Sequence, residues 1–515
     1  MHDEDHGDVR TNEDLTQATA SGLRSIAFAK IGMEIALLGG MIVLARLIPP
    51  AAFGMFAVVL IVQELALSMP MEGIGSALVQ RRSIRPEHLE GGMALSLLVG
   101  LVLAALTFAV AEFVATPLLG PETGHLLLLA TPWFLFGAIF SIPAAVIRRR
   151  LDFRRMALID LVMTVTRVIA MVALAFAGLD AEALVYGNLV AMATGTVLAV
   201  VSAPVPLPRW RSAEIRDLLP YGGPASLACI SWTGFRNGDY AIVGATLGPA
   251  QAGFYWRGYQ LAVEYQKKIS AMMAQMAFPV LARTAGQDEL FALRGRMVRL
   301  VTVMLFPMLA LLVLLAPTVI PWLFGPAWEP AVVPTQILAA AGASTLLIDA
   351  VGSALQAEGR AQAMLGYGVA HFVVYAGAVV IVAPQGLAAV SVAAAVVHTL
   401  FLVIAYQVLL RGKGMSPLRL LIGDITPAGV SCVALIAVAG PVAWALEGAG
   451  TPVVVHIAAV GGSAALAYLV TLRTAFPAAW YDLAAAVGRV VPVRGITARL
   501  RSRLPSPARG VSDSA

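Results

Sequence analysis

Charge is the scarcest ingredient of this sequence. Only 13% of its 515 residues are Asp, Glu, Lys or Arg, while 59% are hydrophobic. Soluble domains carry about 25% charged residues, so a water-soluble fold of this composition would have almost no polar surface. That excludes a soluble enzyme or a nucleic-acid-binding domain. Cysteine is nearly absent: Cys229 and Cys432 both fall in apolar stretches, which excludes a disulfide framework and leaves them as small packing residues. There is no His/Cys/Asp/Glu cluster at metal-ligand spacing, no nucleotide loop, and no Ser/His/Asp set that spacing would assemble. No metal and no cofactor are expected. Residues 1–21 are acidic and polar without an apolar h-region, so they read as a disordered cytoplasmic tail and not as a cleavable signal peptide.

What fills the chain instead is long apolar runs. Crossing about 30 Å of hydrocarbon takes roughly twenty residues. Runs of that length, bounded by Gly, Pro and charge, lie near 26–47, 53–75, 91–115, 125–147, 157–178, 182–203, 222–246, 252–275, 297–320, 331–354, 362–383, 386–409, 420–443 and 452–472. The expected fold class is therefore an all-α polytopic membrane protein with about 14 transmembrane helices.

The connections test that count, because cytoplasmic loops carry the excess of Lys and Arg. Arg81, Arg82 and Arg85 follow the second run; Arg148, Arg149, Arg150, Arg154 and Arg155 follow the fourth. Arg209, Arg211 and Arg216 follow the sixth, and Arg283, Arg294 and Arg296 the eighth. Arg360 follows the tenth, and Arg411, Lys413 and Arg419 the twelfth. The alternate connections (116–124, 178–181, 248–251, 324–330, 384–385 and 447–452) contain neither Lys nor Arg. Arg46, at the outer end of the first run, is the exception. A wrong span count would scramble this alternation, so both termini are expected in the cytoplasm. The basic tail after Arg473 reads either as a helix on anionic headgroups or as an ordinary positive-inside tail.

An internal repeat accompanies the alternation. Ile48-Pro49-Pro50-Ala51-Ala52-Phe53-Gly54-Met55-Phe56 aligns with Leu247-Gly248-Pro249-Ala250-Gln251-Ala252-Gly253-Phe254-Tyr255. Each segment is the outer turn between the first two spans of a six-span block. An even number of spans separates them, so the repeats are parallel, an arrangement that puts a substrate path between the halves. The expected organisation is a first lobe over 22–216, a second over 217–412, a helix pair over 413–473, and a basic cytoplasmic tail over 474–515.

Several segments resemble a known family. They are Ala45-Arg46-Leu47-Ile48-Pro49-Pro50 with Phe53-Gly54, Arg148-Arg149-Arg150-Leu151-Asp152-Phe153-Arg154-Arg155, and Asn237-Gly238-Asp239 through Gly253-Phe254-Tyr255. Phe278-Pro279 with Arg283, and Leu323-Phe324-Gly325-Pro326-Ala327-Trp328, complete the set. In this order the chain resembles, over roughly 20–475, the polysaccharide exporters (Wzx-type flippases) of the multidrug/oligosaccharidyl-lipid/polysaccharide superfamily. The resemblance implies two six-helix lobes in a V and a C-terminal helix pair. It also implies a function: translocation of undecaprenyl-diphosphate-linked oligosaccharides across the bacterial inner membrane for surface polysaccharide synthesis. Membrane lipids, other polysaccharide assembly proteins, and a coupling proton or sodium ion are the partners it implies.

Charges inside apolar runs supply the candidate site, since a charge near the bilayer centre costs several kcal/mol and normally faces a cavity or a partner. Arg236 and Asp239 lie three apart, on one helix face. Arg257 and Glu264 lie seven apart on one stripe, with Lys267 and Lys268 within a turn of Glu264. Read functionally, Arg236, Arg257, Lys267 and Lys268 make a cationic wall for a diphosphate or acidic sugar; Arg167 in the fifth run is a further candidate. Trp232 and Tyr259 are candidate sugar-stacking rings. Glu34, Asp239 and Glu264 are candidates for ion coupling. The competing reading is internal salt bridging between helices.

Two other functions compete. A cation-coupled drug exporter predicts a mainly acidic or apolar cavity and about twelve spans. A membrane glycan polymerase or ligase predicts a substantial outer loop, whereas the longest outer connection here spans about ten residues, 116–124.

Overall fold

The computed structural model describes residues 32–68, 73–81, 83–220, 222, 242–264, 266, 287–358 and 360–490. Most of these residues are helical, and the longest irregular stretch is the connection 203–211. In chain order the principal helices, apart from short ones at 76–80, 212–220 and 242–247, are α1 (32–47), α2 (Pro50–Ser68), α3 (Pro86–Leu119), α4 (Pro121–Arg149), α5 (Phe153–Phe176), α6 (Ala181–Ser202) and α7 (Pro249–Tyr259). They continue as α8 (Gln287–Phe324), α9 (Val332–Ala357), α10 (Ala361–Val382), α11 (Leu387–Leu410), α12 (Pro417–Gly448), α13 (Val453–Ala475) and α14 (Pro477–Val490).

Among the described residues, 10 helices are long and apolar enough to cross a membrane. The four other expected spans, 26–47, 53–75, 222–246 and 252–275, each run into residues outside the described set. The surface is inverted relative to a soluble protein: Leu101 is 56% exposed, Phe113 79%, Val433 68% and Leu466 67%. Apolar surface on that scale needs lipid against it. The chain is an all-α, multi-pass membrane protein.

The chain divides into two compact units. The first comprises Met1–Leu261, Pro317–Leu338 and Gly368–Val397, and the second Ala262–Ala316, Ala339–Tyr367 and His398–Ala515. In the first unit, α5 and α6 pair closely because small residues on α6 admit bulky ones from α5. A Cβ at Gly187 would overlap Met171, and one at Gly195 would overlap Met163. Trp133, Phe134, Phe140 and Ile147 of α4 close a core with Ile159, Met192 and Ala199. Two pairs of polar side chains inside bond each other, which lowers their cost in hydrocarbon: Ser96 Oγ is 2.8 Å from Ser141 Oγ, and Asn188 Nδ2 donates to Gln63 Oε1.

In the second unit, α12 and α13 form an antiparallel pair around Leu435, Ala439, Val460 and Ala464. Tyr468 of α13 donates its hydroxyl to the Val303 carbonyl of α8 at 2.8 Å.

Two sequence expectations are corrected here. The connection 116–124 is not a loop: residues 116–119 and 121–129 are helical, and the chain reverses at Gly120, which has φ 94°. Glycine tolerates that left-handed conformation, and the proline that follows starts the next helix. Arg294 is not a loop cation either. The helix that was expected to begin near 297 already runs from Gln287, so Arg294 lies inside α8 and is buried at 2% exposure.

Candidate functional site

The site grows from the two repeat segments. Each supplies a proline at or near a helix start and, four residues later, a glycine: Pro50 and Gly54 on α2, Pro249 and Gly253 on α7. A Cβ added to Gly54 would overlap the Pro249 carbonyl, and one added to Gly253 would overlap the Pro50 carbonyl. The two copies of the repeat therefore cross backbone to backbone, in reciprocal contact. Only residues without side chains permit helices to approach so closely.

One turn beyond Gly253, the same α7 carries Arg257, which is 2% exposed. Its Cζ lies 4.7 Å from the Phe324 ring centroid, 5.0 Å from Trp328, 5.2 Å from Phe53 and 5.3 Å from Trp256. Nη1 donates to Gln260 Oε1 at 2.9 Å, and Nη2 lies 3.8 Å from Met41 Sδ. Each cation–π contact contributes about 0.5–2 kcal/mol, the upper end when desolvated. An arginine suits such a cage because its planar guanidinium stacks on ring faces.

The cage is tied across the repeats by three further bonds. Trp328, fully buried, donates its indole N–H to the Ala45 carbonyl at 2.9 Å. Arg46 donates through Nε to the Leu323 carbonyl at 3.0 Å and through Nη2 to that of Trp322. Arg46 thus caps the C-terminal end of α8, where free carbonyls and the helix dipole favour a cation. This accounts for the one arginine that breaks the charge alternation. The cage occupies the turns at 48–50, 248–251 and 324–330, none of which contains Lys or Arg.

Below the cage, aromatic hydroxyls continue the polar thread. Tyr255 Oη is 2.8 Å from Tyr375 Oη, and the rings of Tyr255 and Tyr259 lie 6.1 Å apart. Tyr259 is buried, and Gly258 meets Thr335 of α9. A π-helical turn, Gln260–Glu264, follows. Glu34 on α1 and Glu264 are both partly buried, and both have polar partners.

Arg167 stands apart from this group. It lies on α5, on the side that carries Met163 and Met171 towards α6. Its Nε is shut off from solvent without a hydrogen-bond partner, and among the described residues it makes no ion pair. Arg236, Asp239, Trp232, Lys267 and Lys268 lie outside the described residues.

Sequence reasoning marked Arg257 and missed its surroundings. Phe53, Phe324 and Trp328 come from separate segments, and their signal was the recurrence of Phe-Gly and Leu-Phe-Gly-Pro-Ala-Trp at helix turns. It also missed a buried pair in the second unit. Arg294 Nη1 donates to Asp424 Oδ2 at 2.8 Å, the Tyr406 hydroxyl donates to the same oxygen at 2.7 Å, and Arg294 Cζ lies 4.9 Å from the Tyr406 ring centroid. Asp424, a lone acid in an apolar run, was the available signal.

A family model described as "Polysaccharide biosynthesis protein" matches residues 43–333, more than half of the chain. The chain belongs to this family. It is 24% identical over 375 residues to the lipopolysaccharide biosynthesis protein WzxC of Escherichia coli (strain K12), covering 71% of this chain and 75% of that protein. Among solved structures it is similar to the lipid II flippase MurJ in an inward closed conformation, with TM-score 0.67 and 12% identity, over 87% of this chain and 97% of that one. It is also similar to an inward-facing multidrug resistance MATE family transporter of the MOP superfamily, with TM-score 0.59 and 15% identity, over 76% and 96% of the two chains. At such identities these structures share the fold with this member of the polysaccharide biosynthesis family, and nothing finer.

Proposed function

We propose that this protein is a flippase that moves undecaprenyl-diphosphate-linked oligosaccharides across the bacterial inner membrane by alternating access, for surface polysaccharide synthesis. It is a translocator and not an enzyme, with both termini in the cytoplasm. The observation that carries the reading is a buried arginine, Arg257, at the crossing of the two repeats. In a parallel-repeat transporter the substrate path runs between the repeats, and arginine is the side chain best matched to phosphate.

In the structure, Arg257 is buried and enclosed by rings. The reading gives it two settings. With the outer end shut, the aromatic cage holds the guanidinium; when the outer end opens, the cage separates and the cation meets the anionic headgroup. Arg167, Arg236, Lys267 and Lys268 are the further candidate headgroup cations. Trp232 and Tyr259 are the candidate sugar platforms, and Glu34, Asp239 and Glu264 the candidate carriers of a coupled proton or sodium ion. Other proteins of the polysaccharide assembly pathway would deliver and receive the substrate.

The test is translocation by the purified full-length chain in liposomes. The headgroup of a lipid-linked oligosaccharide carries a fluorophore that a membrane-impermeant reductant quenches. The expected result is complete quenching with protein, half quenching without it, and at least about tenfold slower exchange for Arg257→Ala, a change of ~1.4 kcal/mol in barrier. Exchange no faster than in empty liposomes would overturn the reading, and so would glycan transfer by the protein. Export of cationic drugs without lipid exchange would favour the drug-exporter alternative.

A further inference from the structure

The second unit contains a cleft that the transport reading does not use. It has a volume of about 780 Å³ and is lined by Phe291, Glu358, Arg360, Arg411, Lys413 and Met415, with Gly412 in the turn between. We infer that this cleft binds the phosphate headgroup of an anionic membrane lipid, at a site separate from the translocation path.

Charge is the first ground. Three cations line the cleft against a single carboxylate. Glu358 is engaged by Arg360 at 3.3 Å and by Lys413. Arg360 also donates to the Leu409 carbonyl at 3.1 Å and the Val408 carbonyl at 2.7 Å, which fixes it against the end of α11. Lys413 Nζ lies 4.6 Å from the Phe291 ring centroid. The walls are therefore held in place before any ligand arrives. Arg411 is exposed and makes no hydrogen bond or ion pair among the described residues. Its donors remain for an incoming anion, and a guanidinium engages phosphate oxygens in pairs.

Backbone geometry is the second ground. Gly412 and Gly414 have φ of 83° and 66°, so the 411–415 segment folds tightly and brings Arg411 and Lys413 to one rim. The cleft also sits where α10 and α12 begin, immediately after Arg360 and shortly after Met415. Helix starts carry partial positive charge that favours anions.

The third ground favours a lipid over a free ion. The cleft is open, so only a headgroup is enclosed. Beside it, Met415, just before α12, is 45% exposed, and Leu418 and Ile422, four apart on one face of α12, are 55% and 58% exposed and lead away from the cleft. An acyl chain would lie there. This end of the chain carries the Lys and Arg excess, which assigns the lipid to the cytoplasmic leaflet.

Native mass spectrometry of the purified full-length protein, titrated separately with phosphatidylglycerol, phosphatidylcholine and inorganic pyrophosphate, tests this. The wild type is expected to retain one tight phosphatidylglycerol, weakened at least about tenfold in Arg411→Gln with Lys413→Gln. Phosphatidylcholine should bind no better to wild type than to that variant. Arg411→Glu alone, which touches no internal pair, should give the same loss, and Glu358→Gln should tighten binding. Equal phosphatidylglycerol affinity in wild type and Arg411→Glu would overturn the inference. So would retention of pyrophosphate in place of the lipid, which would make the cleft a free-phosphate site. None of these readouts depends on translocation.

Discussion

Gly54 and Gly253 face each other where α2 crosses α7, and each backbone occupies the space that a Cβ on the other would need. The two glycines are equivalent positions of the internal repeat, so the crossing is reciprocal, as at a local two-fold axis. The obstacle to a larger residue is backbone on both sides, which has no rotamer with which to yield.

The first prediction follows from that geometry. Gly54→Ala and Gly253→Ala should each destabilise the protein by about 1–3 kcal/mol, the usual cost of overpacking. The double variant should cost less than the sum, because both substitutions spread the same crossing. Gly377→Ala, where nothing lies within 4 Å of the added carbon, is the control and should melt at or slightly above the wild type. Thermal melts in detergent decide it: wild-type melting of both crossing variants would mean that the helices are not in backbone contact.

A second prediction concerns the cage. Replacing Trp328 by Phe keeps a ring near Arg257 and removes the indole bond to the Ala45 carbonyl, a loss of about 1 kcal/mol. Arg257→Gln removes the cation–ring contacts to Phe53, Trp256, Phe324 and Trp328 at once. Met41, whose sulfur contacts the guanidinium, offers a reporter: as Met41→Cys in a background without Cys229 and Cys432, it should react slowly with an impermeant thiol reagent. Adding Arg257→Gln should raise that rate several-fold, and adding Trp328→Phe should raise it less. Equal labelling in all three proteins would mean that the cage does not hold this end shut.

The fold class could be read from the sequence because hydrocarbon imposes long apolar runs and loops record the charge asymmetry. Even the Gly54–Gly253 crossing left a trace, since a close approach about a repeat axis demands the same small residue in both copies. What could not be read was pairing at a distance. Arg294 stands next to Arg296 in a basic stretch and looks like a loop residue, and its partner Asp424 lies 130 positions away. The Arg257 cage draws its rings from α2, α7 and the 324–328 turn, and no local pattern announces that they converge. Arg46 looked like an exception to a rule until the end of α8 supplied its acceptors.

Arg294 and Asp424 give the third prediction. Both are 2% exposed, so removing one partner strands the other in a low-dielectric interior. Asp424→Ala should cost about 3–5 kcal/mol, whereas Arg294→Met combined with Asp424→Leu should recover most of that loss. Tyr406→Phe, which deletes only the hydroxyl bond to Asp424, should cost about 1.5–3 kcal/mol, the range for a hydrogen bond to a charged group. Melting curves of the four proteins test the order. A single Asp424→Ala variant as stable as the double variant would show that the pair is not buried as a unit.

Arg167 should behave in the opposite way. A structural arginine in a membrane helix has a carboxylate or carbonyl partner, and its removal is costly. Arg167 makes no ion pair among the described residues, and its Nε is enclosed without an acceptor. Desolvating a cation with so little return is unfavourable, so Arg167→Met should melt at or above the wild-type temperature. If the cation is retained for an anionic headgroup, the same variant should exchange lipid-linked oligosaccharide at least about tenfold more slowly, ~1.4 kcal/mol in barrier. Arg167→Lys, a point charge without the planar fork, should recover part of that rate. The informative comparison is with Arg294→Met, which should lose stability first and transport only in consequence. A clear fall in melting temperature for Arg167→Met would make Arg167 a packing residue, and unchanged exchange would remove it from the substrate path.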